Sequence, residues 1–390
     1  MTLARSERFG ALLLVVAAAV GLILANSALA DAAKAVEEFE FGPAAIGLDL
    51  SVSYWVKDGL LAIFFFIAAI ELRHELRHGE LNSARKALVP GVAAIGGVIA
   101  PAVIFLLIAR DQDLSQGWPI PTATDIAFAL GVLALVGRGL PPQFRALLLA
   151  IAVIDDIIAI LIIAAFFTTD LLPLPLLLAV PCVLMFGWLS YRYRSRSRHR
   201  SRGVLIAALI LLGTTTWVLV FLSGVHATIA GVALGLIMAD ATARRTRHAI
   251  EPWSNLLILP LFALIAALVP VPTAGIAQLS PAFWGVLIAL PVGKLIGITA
   301  GAVIAMRLST RGNRDARMPI PDIIAVAALG GIGFTVSLLM NELAFASQEE
   351  VADEVTLAVI LGSVVAAIIG AVLTTFRARH YRKLTAPVAP

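Results

Sequence analysis

Apolar segments of bilayer-spanning length are the feature that most restricts how this chain can fold. A helix needs about 20 apolar residues to cross a membrane. Hydrophobic residues make up 60% of the 390-residue chain and charged residues 14%, whereas roughly a quarter of a soluble protein is charged. The sequence therefore predicts an all-α polytopic membrane protein with about twelve transmembrane helices. They are predicted near residues 9–30, 54–72, 87–109, 118–137, 143–168, 174–190, 203–221, 222–240, 253–271, 282–306, 320–342 and 355–376.

The distribution of basic residues tests this number of spans independently, because cytoplasmic loops are enriched in lysine and arginine. If both termini face the cytoplasm, 25 of the 29 basic residues fall in cytoplasmic connections. Three others, Lys34, Lys57 and Arg110, fall outside. A wrong number of spans would scramble this alternation. We therefore expect one integral membrane domain, residues 1–390, with both termini in the cytoplasm.

Four charged residues remain inside the predicted spans. They are Asp125 in the fourth span, Asp155 and Asp156 in the fifth, and Lys294 in the tenth. Each costs about 2.5–3.5 kcal/mol at a helix centre, so such residues usually face a bundle interior or a water-filled cavity. A salt bridge that only held helices together would need one acid and one base. The surplus carboxylates favour a site where protons and a hard cation compete for the same oxygen atoms.

Two of the predicted spans are poorly suited to continuous helix. In the fourth, "WPIPTATDIAFALG", two prolines and two threonines lead into Asp125, and the Thr124 hydroxyl could serve as an oxygen ligand. In the eleventh, "DIIAVAALGGIGFTVSLLM", Gly330, Gly331 and Gly333 lie at the centre. Three glycines in four positions indicate an unwound segment or close helix packing. Unwound backbone is tolerated at membrane depth only where it is buried or lines a cavity.

The fourth and eleventh spans would also run in opposite directions through the membrane. Each lies in a block of three spans, one at about 87–168 and the other at about 282–376, and the two blocks are inverted relative to each other. Interrupted helices at corresponding places in two inverted repeats indicate the binding site of a transporter. The sequence therefore predicts a secondary transporter rather than an enzyme.

Several motifs, in order along the chain, resemble the NhaA family of sodium/proton antiporters. They are "PTATDIAFALGVLAL", "AVIDDIIAI", "SGVHATIAG", "GKLIGI" and "GIGFTVSL". The resemblance extends from the first span to the last. It implies electrogenic exchange of one cytoplasmic Na⁺ or Li⁺ for more than one external proton, with no cofactor. It also implies that the fourth and eleventh spans cross near the middle of the membrane as broken helices.

The resemblance assigns roles to the buried charged residues. It implies that Asp156 is the main cation and proton site and that Asp155 is its partner, so that Na⁺ binds at both. Asp155 is also expected to pair with Lys294 in "GKLIGI". Asp125 and Thr124 in "TATD" are expected at the crossing of the two broken helices.

The resemblance further implies an external β-hairpin and a pH-sensing region. The hairpin, expected at about 38–52, joins two protomers in the family, which predicts a homodimer. The pH-sensing region lies at the cytoplasmic mouth. Well-known members have an acid at the position of Arg247 and a histidine at that of Glu251, a departure that bears on the pH profile rather than on the exchange. The residues expected in this region are Glu71, Glu75, Arg247, His248 and Glu251.

Two enzymatic functions and nucleic-acid binding fit the sequence less well than transport does. "HELRH" at 74–78 matches a zinc-protease pattern, but it lies among basic residues and shows no third ligand. An intramembrane aspartyl protease would need a GxGD sequence, which the chain lacks. The basic stretch Arg192–Arg202 is a short cytoplasmic loop, so contact with anionic lipid explains it better than nucleic acid does.

The sequence thus predicts a pH-regulated antiporter of a bacterial inner membrane that extrudes sodium by alternating access, for sodium and pH homeostasis. The alternative is a transporter of the same architecture that moves another solute with a cation or a proton. The N-terminal segment also resembles a signal peptide that ends at Ala28–Ala30, but we expect it to be retained as the first span.

Overall fold

The computed structural model describes residues 7–79, 81–167, 171–195, 199–271, 278–308 and 318–385, which are almost entirely helical. Short π-helical turns occur at Trp55–Leu60, Ser254–Ile258 and Ala289–Gly293. The helices are α1 (Glu7–Ala25), α2 (Ala30–Glu37), α3 (Val52–Tyr54), α4 (Leu61–His78), α5 (Ala84–Ile108), α6 (Gln112–Ser115), α7 (Ile126–Val136), α8 (Pro142–Phe166), α9 (Pro173–Ser195), α10 (His199–Leu222), α11 (Thr228–Ile237), α12 (Asp240–Trp253), α13 (Leu259–Ala266), α14 (Pro281–Ile288), α15 (Lys294–Leu308), α16 (Ile320–Gly330), α17 (Phe334–Ala344) and α18 (Glu349–Thr385).

The helices confirm the predicted class of an all-α polytopic membrane protein. Among the described residues, eight helical segments are long and apolar enough to cross a membrane, and two bent pairs raise the number to ten. The predicted number of twelve is reached only if α4 and α11 are added. The second half of α4 carries four charged residues, and α11 has only 10 residues.

Some predicted boundaries differ from the observed ones because polar helices continue the apolar spans. The ninth span, predicted at 253–271, begins in the polar helix α12 and runs as Asp240–Ala266. The last span, predicted at 355–376, is part of α18, which has 37 residues and is therefore about 55 Å long.

The two predicted interruptions are present. In the fourth span, a 3₁₀ turn at Ile120–Thr122 and extended backbone separate the outer segment from α7, with a bend of 41°. Proline lacks the N–H that a helix requires, and Pro119 and Pro121 lie in this interruption. In the eleventh span, α16 and α17 are bent by 48°.

The glycines of the eleventh span serve close packing rather than an unusual backbone conformation. Gly331 and Gly333 both have negative φ, −75° and −96°, which other residues also adopt. A Cβ on Gly333, however, would lie 3.1 Å from the Ala123 carbonyl oxygen and 2.7 Å from a Leu290 methyl group. At the same place, the Asp125 backbone N–H donates to the Ile332 carbonyl oxygen at 2.6 Å. The two interruptions are therefore in direct backbone contact.

The predicted β-hairpin is present as a two-stranded antiparallel sheet. Strand β1 (Glu40–Phe41) pairs with β2 (Leu50–Ser51), with Glu40 opposite Ser51. Gly42 and Gly47, in the connection, have φ of 142° and 71°. These values are strained for residues with a side chain, so glycine is required at both turns.

Candidate ion-binding site

A buried ion pair joins α8 to α15 at the centre of the molecule. The Lys294 Nζ donates to Asp155 Oδ2 at 2.6 Å, and both side chains are fully buried. Lys294 is the first residue of α15, directly after the π-helical turn Ala289–Gly293. Such turns inside helices often occur at functional sites. The structure thus brings together the pair that the sequence analysis expected.

Asp155 also contacts the interruption of the fourth span. The Thr124 hydroxyl lies 2.7 Å from Asp155 Oδ2 and 2.8 Å from the Gly330 carbonyl oxygen at the end of α16. A hydroxyl has one proton, so it donates to one of these two acceptors at a time. The other oxygen of Asp155, Oδ1, is buried and has no hydrogen-bond partner among the described residues. Unpaired buried acceptors are rare and call for an explanation, such as an ion.

Asp125 caps two helices whose N-termini meet at the crossing. Its Oδ1 accepts from the Phe128 backbone N–H at 2.9 Å, which caps α7. Its Oδ2 accepts from the backbone N–H and the hydroxyl of Thr335, at 3.1 and 2.7 Å, in the first turn of α17. Helix N-termini carry partial positive charge, so one carboxylate offsets both. Asp125 does not contact Lys294. The sequence analysis missed Thr335, although it lies within the quoted motif "GIGFTVSL".

Asp156 faces a different direction from Asp155 because successive helix residues are turned by about 100°. Asp156 is 7% exposed and lines a cavity of about 150 Å³. The same cavity is lined by Glu71 and Arg247, at the end of the molecule predicted to face the cytoplasm. Asp156 thus borders the cavity, whereas the side chain of Asp155 has no exposed surface.

Three of the five residues expected in a pH-sensing region meet at the mouth of this cavity. Arg247 Nη2 lies 3.0 Å from Glu71 Oε1 and 3.3 Å from Glu251 Oε1. All three residues line the cavity. Glu75 on α4 and His248 on α12 are not among its lining residues.

Known proteins match this chain over almost its whole length. The model of the family described as Na⁺/H⁺ antiporter 1 matches residues 1–374. The chain belongs to the NhaA family of Na⁺/H⁺ antiporters. It is 51% identical over 382 residues to Na(+)/H(+) antiporter NhaA 2 of Clavibacter michiganensis subsp. michiganensis, covering 98% of this chain and 93% of the relative. It is 43% identical over 373 residues to NhaA of Tropheryma whipplei (strain Twist), covering 96% and 94% of the two chains.

NhaA of Thermobifida fusca is 42% identical over 400 residues and covers 100% of this chain and 96% of the relative. These matches confirm the family that the motifs indicated. They also confirm the predicted class, a multi-pass membrane transporter rather than an enzyme.

Proposed function

We propose that this NhaA chain exchanges Na⁺, and also Li⁺, for protons at a site formed by Asp155 and Asp156. The observation that carries the proposal is the unequal surroundings of the two adjacent carboxylates. Asp155 is neutralised by Lys294, while Asp156 lines a cavity. A carboxylate in this position binds either a proton or a cation, so the two ions compete.

The ligands of a bound cation would come partly from the backbone and from hydroxyl groups. No group of three or more His, Cys, Asp or Glu side chains in the described ranges could hold a metal ion. The unpaired Asp155 Oδ1 and Asp156 supply two carboxylates, and the Thr124 hydroxyl lies beside both Asp155 and the Gly330 carbonyl. Hard cations take oxygen ligands of all these kinds.

The number of protons exchanged for each Na⁺ depends on whether Lys294 keeps its proton when the ion binds. If Lys294 keeps its proton, one Na⁺ replaces one proton on Asp156 and the exchange is electroneutral. If Na⁺ displaces Lys294 from Asp155, the lysine is left in a buried site without a partner, where its charged form is disfavoured. Release of that proton makes the exchange two protons for one Na⁺, which is electrogenic. We favour this second scheme because the Lys294–Asp155 pair has no access to water.

Alternating access would be provided by movement of the inverted repeats, residues 87–168 and 282–376, relative to the remaining helices. The cavity at Asp156 then represents the form open to the cytoplasm, with both chain termini on that side of a bacterial inner membrane. The ion pairs of Arg247 with Glu71 and Glu251 would regulate access to this cavity with pH. Glu75 and His248 would act only indirectly, since they lie outside its lining.

Two proposed partners concern the surface of the molecule. A second copy of the chain would bind through the hairpin β1–β2, where Phe39 and Phe41 are exposed. Anionic lipid would bind the stretch Arg192–Arg202. Apart from Arg192, whose guanidinium stacks over the Trp188 ring at 4.2 Å, the side chains of that stretch lie outside the described residues.

The test is exchange in everted membrane vesicles from cells that lack sodium/proton antiporters. Respiration establishes a proton gradient, an acridine dye reports it, and Na⁺, Li⁺ or K⁺ is added at several pH values between about 6.5 and 9, because burial raises the pKa of a carboxyl group. We expect Na⁺ and Li⁺, but not K⁺, to dissipate the gradient. Asp156→Asn should abolish this response, while Asp111→Asn, the same change at an exposed residue, should leave it intact. A response that persists in Asp156→Asn refutes the site, and no wild-type response favours another solute on this scaffold.

A further inference from the structure

A second ion pair joins two helices at the predicted external end of the molecule. Lys57 lies in the π-helical turn Trp55–Leu60, which leads into α4, and its Nζ donates to Glu342 Oε1 on α17. A second carboxylate, Glu37 at the end of α2, lies 3.7 Å from the same Nζ. The Lys57 side chain is only 15% exposed, so these contacts replace most of its hydration.

This pair lies before the N-terminus of α4, whereas α4 lines the cavity at Asp156 from Phe64 to Leu72. Phe64, the first α4 residue to line that cavity, is 7 residues further along the chain than Lys57, or about 10 Å of helix. Lys57 and Glu342 instead line a second cavity of about 590 Å³. The two cavities have no described lining residue in common. The external cavity is therefore distinct from the cavity that Asp156 lines.

We propose that Lys57 and Glu342 form an external gate that stabilises the form of the antiporter open to the cytoplasm. The proposal rests on the proposed function, since it assumes alternating access. Glu342 belongs to the outer half of the interrupted eleventh span, inside the repeat 282–376, whereas Lys57 lies outside both repeats. A movement of the repeats that opens a route from Asp156 to the external cavity must separate these two side chains.

The residues around the Lys57–Glu342 pair would allow the pair to separate and re-form without a large energetic cost. When Glu342 moves away, Lys57 keeps Glu37 as a partner. Glu37 is held in place by the Ser53 hydroxyl, which donates to its Oε1 at 2.9 Å. Glu342, already 38% exposed, enters a cavity large enough to hold water. Neither charge is left buried without a partner, which is the costly outcome when an ion pair breaks.

Cysteine accessibility distinguishes a gate from a purely structural ion pair. The chain has a single cysteine, so Cys182→Ser gives a background without reactive thiols. Leu338→Cys then reports on the external route, because Leu338 is buried, lines the external cavity and lies one turn from Glu342 on α17. A membrane-impermeant methanethiosulfonate is added to the outside of right-side-out vesicles, and the rate of labelling is measured.

Glu342→Gln in this background should increase the labelling rate about 5- to 30-fold. Loss of one ion pair that favours the form open to the cytoplasm shifts the equilibrium towards the form open to the outside by about this factor. The matched control is Glu349→Gln. Glu349 pairs with Lys34 at 3.7 Å at the same end of the molecule, but the two side chains are 84% and 63% exposed, and such pairs contribute little. An equal rate in Glu342→Gln and in the control refutes the gate.

A cross-link provides the second test. In Cys182→Ser/Lys57→Cys/Glu342→Cys, a short bis-methanethiosulfonate, which joins two thiols through disulfides, should stop Na⁺-driven dequenching, and a reductant, which cleaves those disulfides, should restore it. Exchange that continues in the cross-linked protein shows that the two side chains need not separate, which also refutes the gate. Exchange in the unmodified variant is measured first. If exchange is already missing in wild-type vesicles, the proposed function fails, whereas the labelling assay still reports on the gate.

Discussion

Asp125 is predicted to stabilise the crossing of the two interrupted spans, and its contribution can be worked out from its contacts. Asp125→Ala removes the acceptor of two backbone N–H groups, those of Phe128 and Thr335. Each buried donor left without a partner costs about 1–3 kcal/mol, so we expect a loss of about 2–6 kcal/mol. Asp125→Asn keeps one acceptor oxygen but turns an amide N–H₂ towards the second donor, so the expected loss is about 1–3 kcal/mol.

The measurement is thermal unfolding of the purified protein in detergent, without Na⁺, followed by the fluorescence of its six tryptophans. Thr335→Val is the matched control. It removes the hydroxyl that Asp125 accepts from but keeps the backbone N–H, at a cost of about 0.5–1.5 kcal/mol. Thr335→Val should lower the Tm least, Asp125→Asn should lower it more, and Asp125→Ala should lower it most. If Asp125→Ala is as stable as Thr335→Val, the carboxylate does not hold the two helix ends.

Two further predictions concern the interior. Lys294→Gln leaves Asp155 buried without its ion-pair partner and should lower the stability at neutral pH by about 3–5 kcal/mol. Asp155→Asn/Lys294→Gln should recover most of that loss, as chemical denaturation would show, and a double variant no more stable than the single one contradicts the pairing. Gly297→Ala places a Cβ 2.7 Å from the Gly96 carbonyl carbon, so α5 and α15 must separate at a cost of about 1–3 kcal/mol. Gly91→Ala, whose Cβ meets no atom within 4 Å, should be neutral or stabilising, and equal Tm values for the two variants would contradict the close packing.

The charged residues of the site could be predicted from the sequence because the membrane makes them conspicuous. Asp155, Asp156 and Lys294 are buried charges in apolar segments, and each is too costly to occur without a partner or an ion. The adjacency of the two acids also predicted that they face different directions, since helix geometry fixes the angle between neighbours. The structure shows this division, with Asp155 on Lys294 and Asp156 on the cavity.

The contacts between distant segments could not be predicted in the same way. Thr335 was one residue of a quoted motif, and only the crossing of two spans brings it to Asp125. Lys57 was counted simply as a basic residue outside the membrane, because nothing local indicates Glu342, 285 residues away. The glycines of the eleventh span were expected to allow either unwinding or close helix packing. Gly333 allows close approach, and the choice between the two could not be made from the sequence because it depends on Ala123 in another span.

The two lysine–carboxylate pairs differ in exposure, and this difference determines what can separate them in the proposed cycle. Lys294 and Asp155 have no access to water, so their separation leaves buried charge unless a cation replaces the lysine or a proton neutralises the carboxylate. Lys57 and Glu342 are partly exposed, and a second carboxylate and a large cavity lie beside them. Water can therefore replace the contact when the external end opens. On the proposed mechanism, the buried pair would thus couple separation to ion binding, while the external pair would adjust how often the open form is reached.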